Sequence, residues 1–276
     1  MKPSKEFQNK EATFWAIVKI VSEQIGYSER AKKGERKTMK RYEWKDIFEV
    51  LQKENPDQKF TKDNEEEIDE VLKYLNFRSD VCENKIKPKL MSRDKAKDIY
   101  EKVLKKTGSK RAASMNKQKG EKKHPAYLTN IVSLLAENVL GEDGFVDDAR
   151  RLSFINNSRG IQYAFSRRFD GALPTTVNPK AVWEVKEYYG TKTFGSRVAD
   201  GIYETMLDGF EINDVERICG HRVKHFLFVD DYFTWWECGR SYLCRIVDML
   251  NSGFVDEVFF GEEIISDWEK ALSSLK

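Results

Sequence analysis

Three residues near the middle of the chain have types and a spacing that suit acid–base and metal-ion chemistry. Asp170 is separated from Glu184 by thirteen residues, and Lys186 follows two residues after Glu184. Side chains in a strand alternate between two faces, so Glu184 and Lys186 share one face of an extended segment. Pro174 and Asn178-Pro179 mark a turn between the two segments. We therefore predict a hairpin in which Asp170, at the end of the first strand, reaches the same point as Glu184.

Two converging carboxylates repel each other unless a cation lies between them. Mg²⁺ takes few carboxylate ligands from a protein and completes its shell with water and substrate phosphate. The pattern predicts phosphodiester hydrolysis, with Asp170 and Glu184 binding Mg²⁺ and Lys186 positioning the attacking water. One alternative stays open, in which Glu184 and Lys186 form an exposed pair and Asp170-Gly171 is only a turn.

The order acid, spacer, acid-x-Lys resembles the PD-(D/E)XK, or restriction-endonuclease-like, nucleases, although Phe169 rather than Pro precedes Asp170. The resemblance covers about residues 125–230 and implies a core of helix, hairpin, helix and strand. It implies a Mg²⁺-dependent endonuclease that cuts double-stranded DNA, with Mn²⁺ as a substitute metal. A type II restriction enzyme would act as a homodimer and have a cognate DNA methyltransferase as its functional partner.

In many members of that family, the helix before the hairpin supplies a further acid to the metal. Glu137 is the matching candidate here, with Asp147 and Asp148 as weaker ones. Two other functions stay open. One is a structure-selective or phage-defence nuclease of the same superfamily, and the other is a DNA-binding subunit that does not cut.

The charge is unevenly distributed along the chain. Residues 1–126 carry 32 basic and 22 acidic side chains, whereas residues 127–276 carry 16 and 24. Residues 102–123 alone hold nine basic side chains against Glu121. This excess predicts contact with a phosphate backbone, and a solvated linker is the alternative. The candidate DNA-binding residues are Lys105, Lys106, Lys110, Arg111, Arg168, Lys192 and Arg197.

The elements that must position these residues can be read from periodicity and turn signals. Apolar spacing predicts helices at about 6–26, 43–54, 61–75, 92–107, 125–140, 195–208 and 239–251. Short apolar runs predict strands at 162–169, 181–189, 223–229 and 255–260. This order predicts an α/β chain with a central mixed sheet. The expected divisions are a helical, basic region over residues 1–101, a linker over 102–124 and a nuclease core over 125–276.

Composition argues against several other classes of protein. No run approaches 18 apolar residues, so neither a membrane span nor a membrane partner is expected, and the first residues lack a signal-peptide core. The four cysteines form no CxxC, which favours the cytoplasm over an oxidising compartment. The spacing of Cys219, His221 and His225 matches no closed zinc site. The absence of a GxxxxGK[ST] loop argues against ATP-driven activity.

Overall fold

The computed structural model describes residues 1–29, 35, 37–56, 62–116, 124–189 and 195–275. It confirms a mixed α/β fold in which an N-terminal helical region precedes a central mixed sheet flanked by helices. No helix within those ranges combines the length and apolar character that crossing a bilayer requires.

Eight α-helices and seven strands lie in the described ranges. The helices are α1 (Ala12–Ile25), α2 (Trp44–Glu54), α3 (Lys62–Asp80), α4 (Arg93–Thr107), α5 (Tyr127–Leu140), α6 (Ser196–Cys219), α7 (Arg240–Asn251) and α8 (Glu263–Ser273). The strands are β1 (Val146–Asp147), β2 (Phe154–Asn157), β3 (Gly160–Ala164), β4 (Gly171–Leu173), β5 (Ala181–Lys186), β6 (Lys224–Val229) and β7 (Glu257–Phe260). Two π-helical segments, Val81–Ile86 and Phe233–Cys238, follow α3 and precede α7.

Local chemistry accounts for the bounds of α4. The Ser92 hydroxyl accepts a hydrogen bond from the Lys95 amide at 3.3 Å, which satisfies one of the unpaired donors at the helix start. Gly108 ends the helix at φ 61°, a left-handed conformation that glycine adopts without steric cost. Both ends agree with the sequence prediction.

The basic segment differs in part from the expected linker. Residues 102–107 form the last turns of α4, because Val103 is buried in the core that α4 shares with α5. Residues 108–116 run without regular helix or strand, and residues 117–123 lie outside the described ranges. The predicted flexible arm therefore begins as a packed helix.

The five-stranded sheet has the strand order β1-β4-β5-β6-β7. β1, β4 and β5 pair antiparallel, whereas β5, β6 and β7 pair parallel. One face packs its aromatic side chains, among them Trp183 and Phe228, against α5 and α8. The other face, with Leu227 and Val229, packs against α6 and α7. Because both faces are covered, most residues of the central strands are apolar, with Glu184 and Lys186 on β5 as buried exceptions.

The predicted strand 162–169 is right only for residues 162–164. Residues 160–164 form β3, which pairs with β2 in a separate two-stranded sheet. The chain then turns, because Phe165 and Phe169 are buried in a small apolar cluster beneath that hairpin. The strand that pairs with β5 is instead the three-residue β4, a length too short to give a periodic signal.

Candidate active site

The β4–β5 hairpin brings Asp170 and Glu184 together. Gly171 pairs with Trp183, so Asp170, which precedes β4 rather than ending an earlier strand as expected, stands opposite Glu184. The Asp170 amide donates to Glu184 Oε1 at 3.3 Å. The Val185 amide donates to Asp170 Oδ2 at 2.8 Å, which holds the Asp170 carboxylate at the edge of the sheet.

Glu184 and Lys186 lie on the face of β5 that packs toward α6. Their exposed fractions are only 1% and 6%, and Lys186 Nζ lies 3.0 Å from Glu184 Oε2. An exposed surface pair, the alternative left open by the sequence, is therefore wrong. A buried acid and lysine are held in place where their charges can act on a third group.

Arg167 adds a second cation to this cluster. Its Nη1 lies 3.0 Å from Glu184 Oε1 and 2.7 Å from Asp208 Oδ2 on α6. Glu204, one turn earlier on α6, lies 3.4 Å from Arg167 Nη2 and 3.7 Å from Lys186 Nζ. Asp208 is fully buried, and its Oδ1 has no hydrogen-bond partner among the described residues.

The pKa values in the cluster diverge. Burial and the charge of Glu184 raise the pKa of Asp170 to about 6 and that of Asp208 to about 7. Burial also opposes ionisation of Glu184, but the charges of Lys186 and Arg167 outweigh it and lower the pKa of that carboxyl. For Lys186, burial opposes protonation, but the charge of Glu184 together with Tyr188 and Asp170 outweighs it and raises the pKa, so the ammonium stays protonated.

The cluster has more acids than bases. Four carboxyls (Asp170, Glu184, Glu204 and Asp208) surround two cations (Arg167 and Lys186), which leaves two negative charges when every group is ionised. The raised pKa values of Asp170 and Asp208 have this excess as one of their causes. An excess of this sign and size attracts a divalent cation.

A cleft of about 390 Å³ opens beside Asp170 at this end of the sheet. Asp147, Val185 and Arg197 are among its lining residues. The Asp170 carboxyl is open to solvent on the cleft side and closely surrounded by protein elsewhere. It therefore lies between the cleft and the buried Glu184.

The other predicted acids lie apart from Glu184. Glu137, in the last turn of α5, accepts a hydrogen bond from the Ser109 hydroxyl at 2.9 Å. Asp147 receives two hydrogen bonds from Arg111, at 2.7 and 3.2 Å, and lines the cleft with Asp148. No contact in the described ranges joins Glu137 to Asp170 or Glu184, so its role as a metal ligand stays a prediction.

The predicted DNA-binding residues are spread over two elements and their flanks. Lys105 and Lys106 are exposed in the last turn of α4, and Lys110 is exposed just beyond it. Arg111 is engaged by Asp147, whereas Arg168 is exposed two residues before Asp170. Arg197 is exposed in the first turn of α6 and lines the cleft. Lys192 lies outside the described residues.

Sequence reasoning missed Arg167, Glu204 and Asp208. A signal for the two acids existed, because Gly201, Glu204, Asp208 and Glu211 recur at intervals of three and four along α6. Such spacing puts polar and small residues on one helix face. No pattern in the sequence indicated that Arg167 is partly buried. It lies next to Arg168, and two adjacent arginines are usually surface charges.

The donor set fits Mg²⁺ in type, because the protein offers two neighbouring carboxylates. No group of three or more His, Cys, Asp or Glu side chains arranged to hold a metal ion occurs within the described ranges. Both oxygens of Glu184 accept contacts from the cations Arg167 and Lys186. A metal at Glu184 would therefore take the place of one of these contacts.

Comparison with known proteins gives two family matches. Residues 91–275 match a family described as a domain of unknown function (DUF7687), and residues 1–85 match a second one (DUF7690). No curated protein and no solved structure matches the chain.

Proposed function

The chain belongs to the DUF7687 family, whose model matches residues 91–275, and we propose that it is a Mg²⁺-dependent DNA endonuclease. The observation that carries the proposal is the position of Asp170 beside Glu184, with Lys186 Nζ 3.0 Å from the same carboxylate. Asp170 and Glu184 would hold the metal, and Lys186 would orient the attacking water. Bound magnesium would neutralise charge on the scissile phosphate and assist in activating that water.

Arg167 has a role in this proposal that the sequence did not suggest. A quarter of its side chain is exposed, and it covers Glu184 from the solvent side. An incoming phosphate offers the guanidinium a partner of the same geometry as a carboxylate. Arg167 would therefore exchange Glu184 for the phosphate as DNA enters, which frees a Glu184 oxygen for the metal.

The order of elements supports the proposal independently of the site. A helix (α5), a hairpin (β4–β5), a helix (α6) and a parallel strand (β6) occur in the order that the resemblance to PD-(D/E)XK nucleases implies, with β1, β2 and β3 between α5 and the hairpin. Type II restriction activity rests on that resemblance alone. The cleft beside Asp170 and the exposed Arg197 at its wall give a phosphate backbone a place to approach.

The test is cleavage of plasmid DNA by the purified protein with Mg²⁺. Wild type is expected to cut, and Asp170→Asn, Glu184→Gln and Lys186→Ala are each expected to lower the rate by about 100-fold or more. Asp143→Asn, at an exposed carboxyl outside the cluster, is the isosteric control and should keep wild-type activity. Discrete bands would support a site-specific enzyme, and a smear would support a nonspecific or structure-selective one.

Binding is measured separately on the same DNA without cleavage, in Ca²⁺. The active-site variants should bind DNA, since they remove no exposed cation. Neutralising Lys105, Lys106 and Lys110 together should weaken binding and reduce its dependence on salt.

A DNA-binding subunit that does not cut is the second candidate, and one observation favours it. The Glu184 carboxylate is already neutralised by Lys186 and Arg167 within the protein. If wild type binds DNA but shows no cleavage with Mg²⁺ or Mn²⁺ on linear, plasmid or branched substrates, this candidate replaces the nuclease.

A further inference from the structure

Helix α6 has an exposed apolar stripe beside the face that carries the charged cluster. Tyr203, Leu207 and Phe210 lie at helical spacing and are 49%, 45% and 51% exposed. The inner side of the same helix carries Asp208 toward Arg167. Large apolar side chains aligned on one exposed face indicate a surface that another molecule covers.

The stripe continues with charged residues at both ends. Asp200 precedes Tyr203 by three residues, and Asp214 and Arg217 follow Phe210 by four and seven residues. At 100° per residue, all six positions fall within about 100° of the helix circumference. The seam, defined by Asp200, Tyr203, Leu207, Phe210, Asp214 and Arg217, is therefore acidic at its start, apolar in the middle and of both signs at its end.

We propose that the seam binds a second copy of this chain, through two α6 helices packed antiparallel about a two-fold axis. Along the length of α6, the axis crosses the seam at the level midway between Asp208 and Gly209. Each seam residue then faces the residue that lies equally far on the other side of the axis in the second copy. An isologous contact of this kind requires the surface to be complementary to itself.

The order of residues along the seam meets that requirement at every position. Leu207 faces Phe210 of the second copy, which pairs the apolar residues. Tyr203 faces Asp214 of the second copy, so a phenol donor meets a carboxylate. Asp200 faces Arg217 of the second copy, which pairs opposite charges. The two-fold symmetry repeats each contact, so three kinds of pair give six contacts.

Neighbouring residues extend the complementarity. Ile218, 56% exposed, faces the small Ala199 of the second copy. An apolar cavity of about 740 Å³ borders the stripe, with Tyr203, Phe210 and Trp15 among its lining residues. The apolar surface thus continues from α6 toward α1. This continuation increases the area that the dimer could bury, and stable interfaces bury roughly 1,200–2,000 Å².

The alternative pairings are less favourable. Packing the two helices in parallel would place Asp200 beside Asp200 and leave Arg217 beside Arg217. Within one copy, Arg217 pairs with Asp214 at 2.8 Å, but both side chains are exposed, so this pair contributes little and leaves Arg217 able to bind across the interface. The charges therefore select the antiparallel arrangement.

The dimer does not depend on the proposed nuclease activity, and its test measures mass rather than cleavage. Sedimentation velocity over a range of concentrations should give a species of twice the 32.3 kDa chain mass for wild type. Arg217→Asp, which sets two acids against each other, should weaken the dimer by about tenfold or more, and so should Asp200→Arg. The double variant D200R/R217D restores opposite charges and should dimerise again.

Two further variants complete the design. Leu207→Glu puts a charge in the apolar centre and should abolish the dimer. Glu101→Arg, at an exposed position of α4, changes the net charge by the same amount and sign as Asp200→Arg and should leave the dimer intact. Circular dichroism confirms that each variant is folded. A wild type that is monomeric at every concentration, a Leu207→Glu variant that still dimerises, or a charge swap that fails to restore the dimer would each overturn the proposal.

Discussion

Asp208 carries a buried carboxyl whose ionisation the surrounding protein opposes. It accepts one hydrogen bond from Arg167 at 2.7 Å, yet burial and the neighbouring Glu184 raise its pKa to about 7. A carboxyl with a raised pKa in the folded protein holds its proton where the unfolded chain has already lost it. Its contribution to stability is therefore present at low pH and is lost as the pH rises toward 7.

Replacing this carboxyl with an amide should remove that pH dependence. Asp208→Asn resembles the protonated acid, so it should match wild type near pH 4 and become relatively more stable as the pH rises toward 7. The slope of the difference approaches about 1.4 kcal/mol per pH unit for one fully coupled proton. Thermal unfolding of both proteins across this range measures it, with Asp143→Asn as the exposed control. A constant difference across the range would refute the raised pKa.

At this scale the sequence predicted the acids better than their partners. The spacing of Asp170, Glu184 and Lys186 follows from alternation along one strand and a turn, which are local properties. Arg167 and Asp208 meet only because a loop and a distant helix pack on the same face of β5. No period or turn signal encodes such a meeting.

Helix α6 carries residues of the charged cluster on one face and the seam on another. Gly209 shows how closely the helix packs against the rest of the protein. A Cβ atom at Gly209 would lie 2.6 Å from both Cβ and the backbone oxygen of Phe254, closer than atoms tolerate. Backbone and Cβ cannot move aside as the end of a long side chain can. The glycine is thus required for the approach of α6 to the loop after α7, in spite of its low helix propensity.

Gly209→Ala should therefore destabilise the protein by about 1–3 kcal/mol, because overpacking outweighs the gain in helix propensity. Gly195→Ala, at the N-cap of the same helix with no atom within 4 Å of the added Cβ, is the control without overpacking and should cost less, at most about 1 kcal/mol for the poorer cap. Chemical denaturation of both variants measures the difference. Equal stability of the two variants would mean that α6 can shift away from Phe254.

The length of α6 was underestimated in the sequence prediction, and Gly209 lies at the point where the predicted helix stopped. The sequence predicted a helix ending near 208, just before Gly209, whereas α6 continues to Cys219. Glycine ends many helices, but here it lies in mid-helix, where a packing partner replaces the lost propensity. Helices α2, α4, α5 and α7 were predicted to within a few residues, because amphipathic spacing and caps such as Ser92 are local, whereas α1 begins six residues later than predicted and α8 was missed. The two-residue β1 was not predicted, and the strand that pairs with β5 was placed too early in the chain. Two or three residues are too few to show an alternating pattern.

The two family regions form one packed body in the described structure. At the boundary between them, the Met91 amide donates to the Asp230 carbonyl at 3.1 Å, which ties the chain to the end of β6. Farther along the interface, Arg78 at the end of α3 is fully buried and lies 2.8 Å from Asp248 on α7. The Tyr74 hydroxyl donates to the same carboxylate at 2.6 Å. A buried ion pair thus joins residues 1–85 to residues 91–275.

Breaking this ion pair from one side should destabilise the whole molecule. Arg78→Met leaves the largely buried Asp248 without its cation and is expected to cost about 3 kcal/mol, and Asp248→Asn should cost less because the neutral amide still accepts hydrogen bonds. The double variant should lose less than the sum of the two, since neither charge is then left uncompensated. Arg41 and Asp80 form a comparable but exposed pair nearby, so Asp80→Asn is the matched control and should cost at most about 1 kcal/mol. Denaturation followed by tryptophan fluorescence measures all four variants. If Arg78→Met were no more harmful than Asp80→Asn, the two regions would be held together by apolar packing alone.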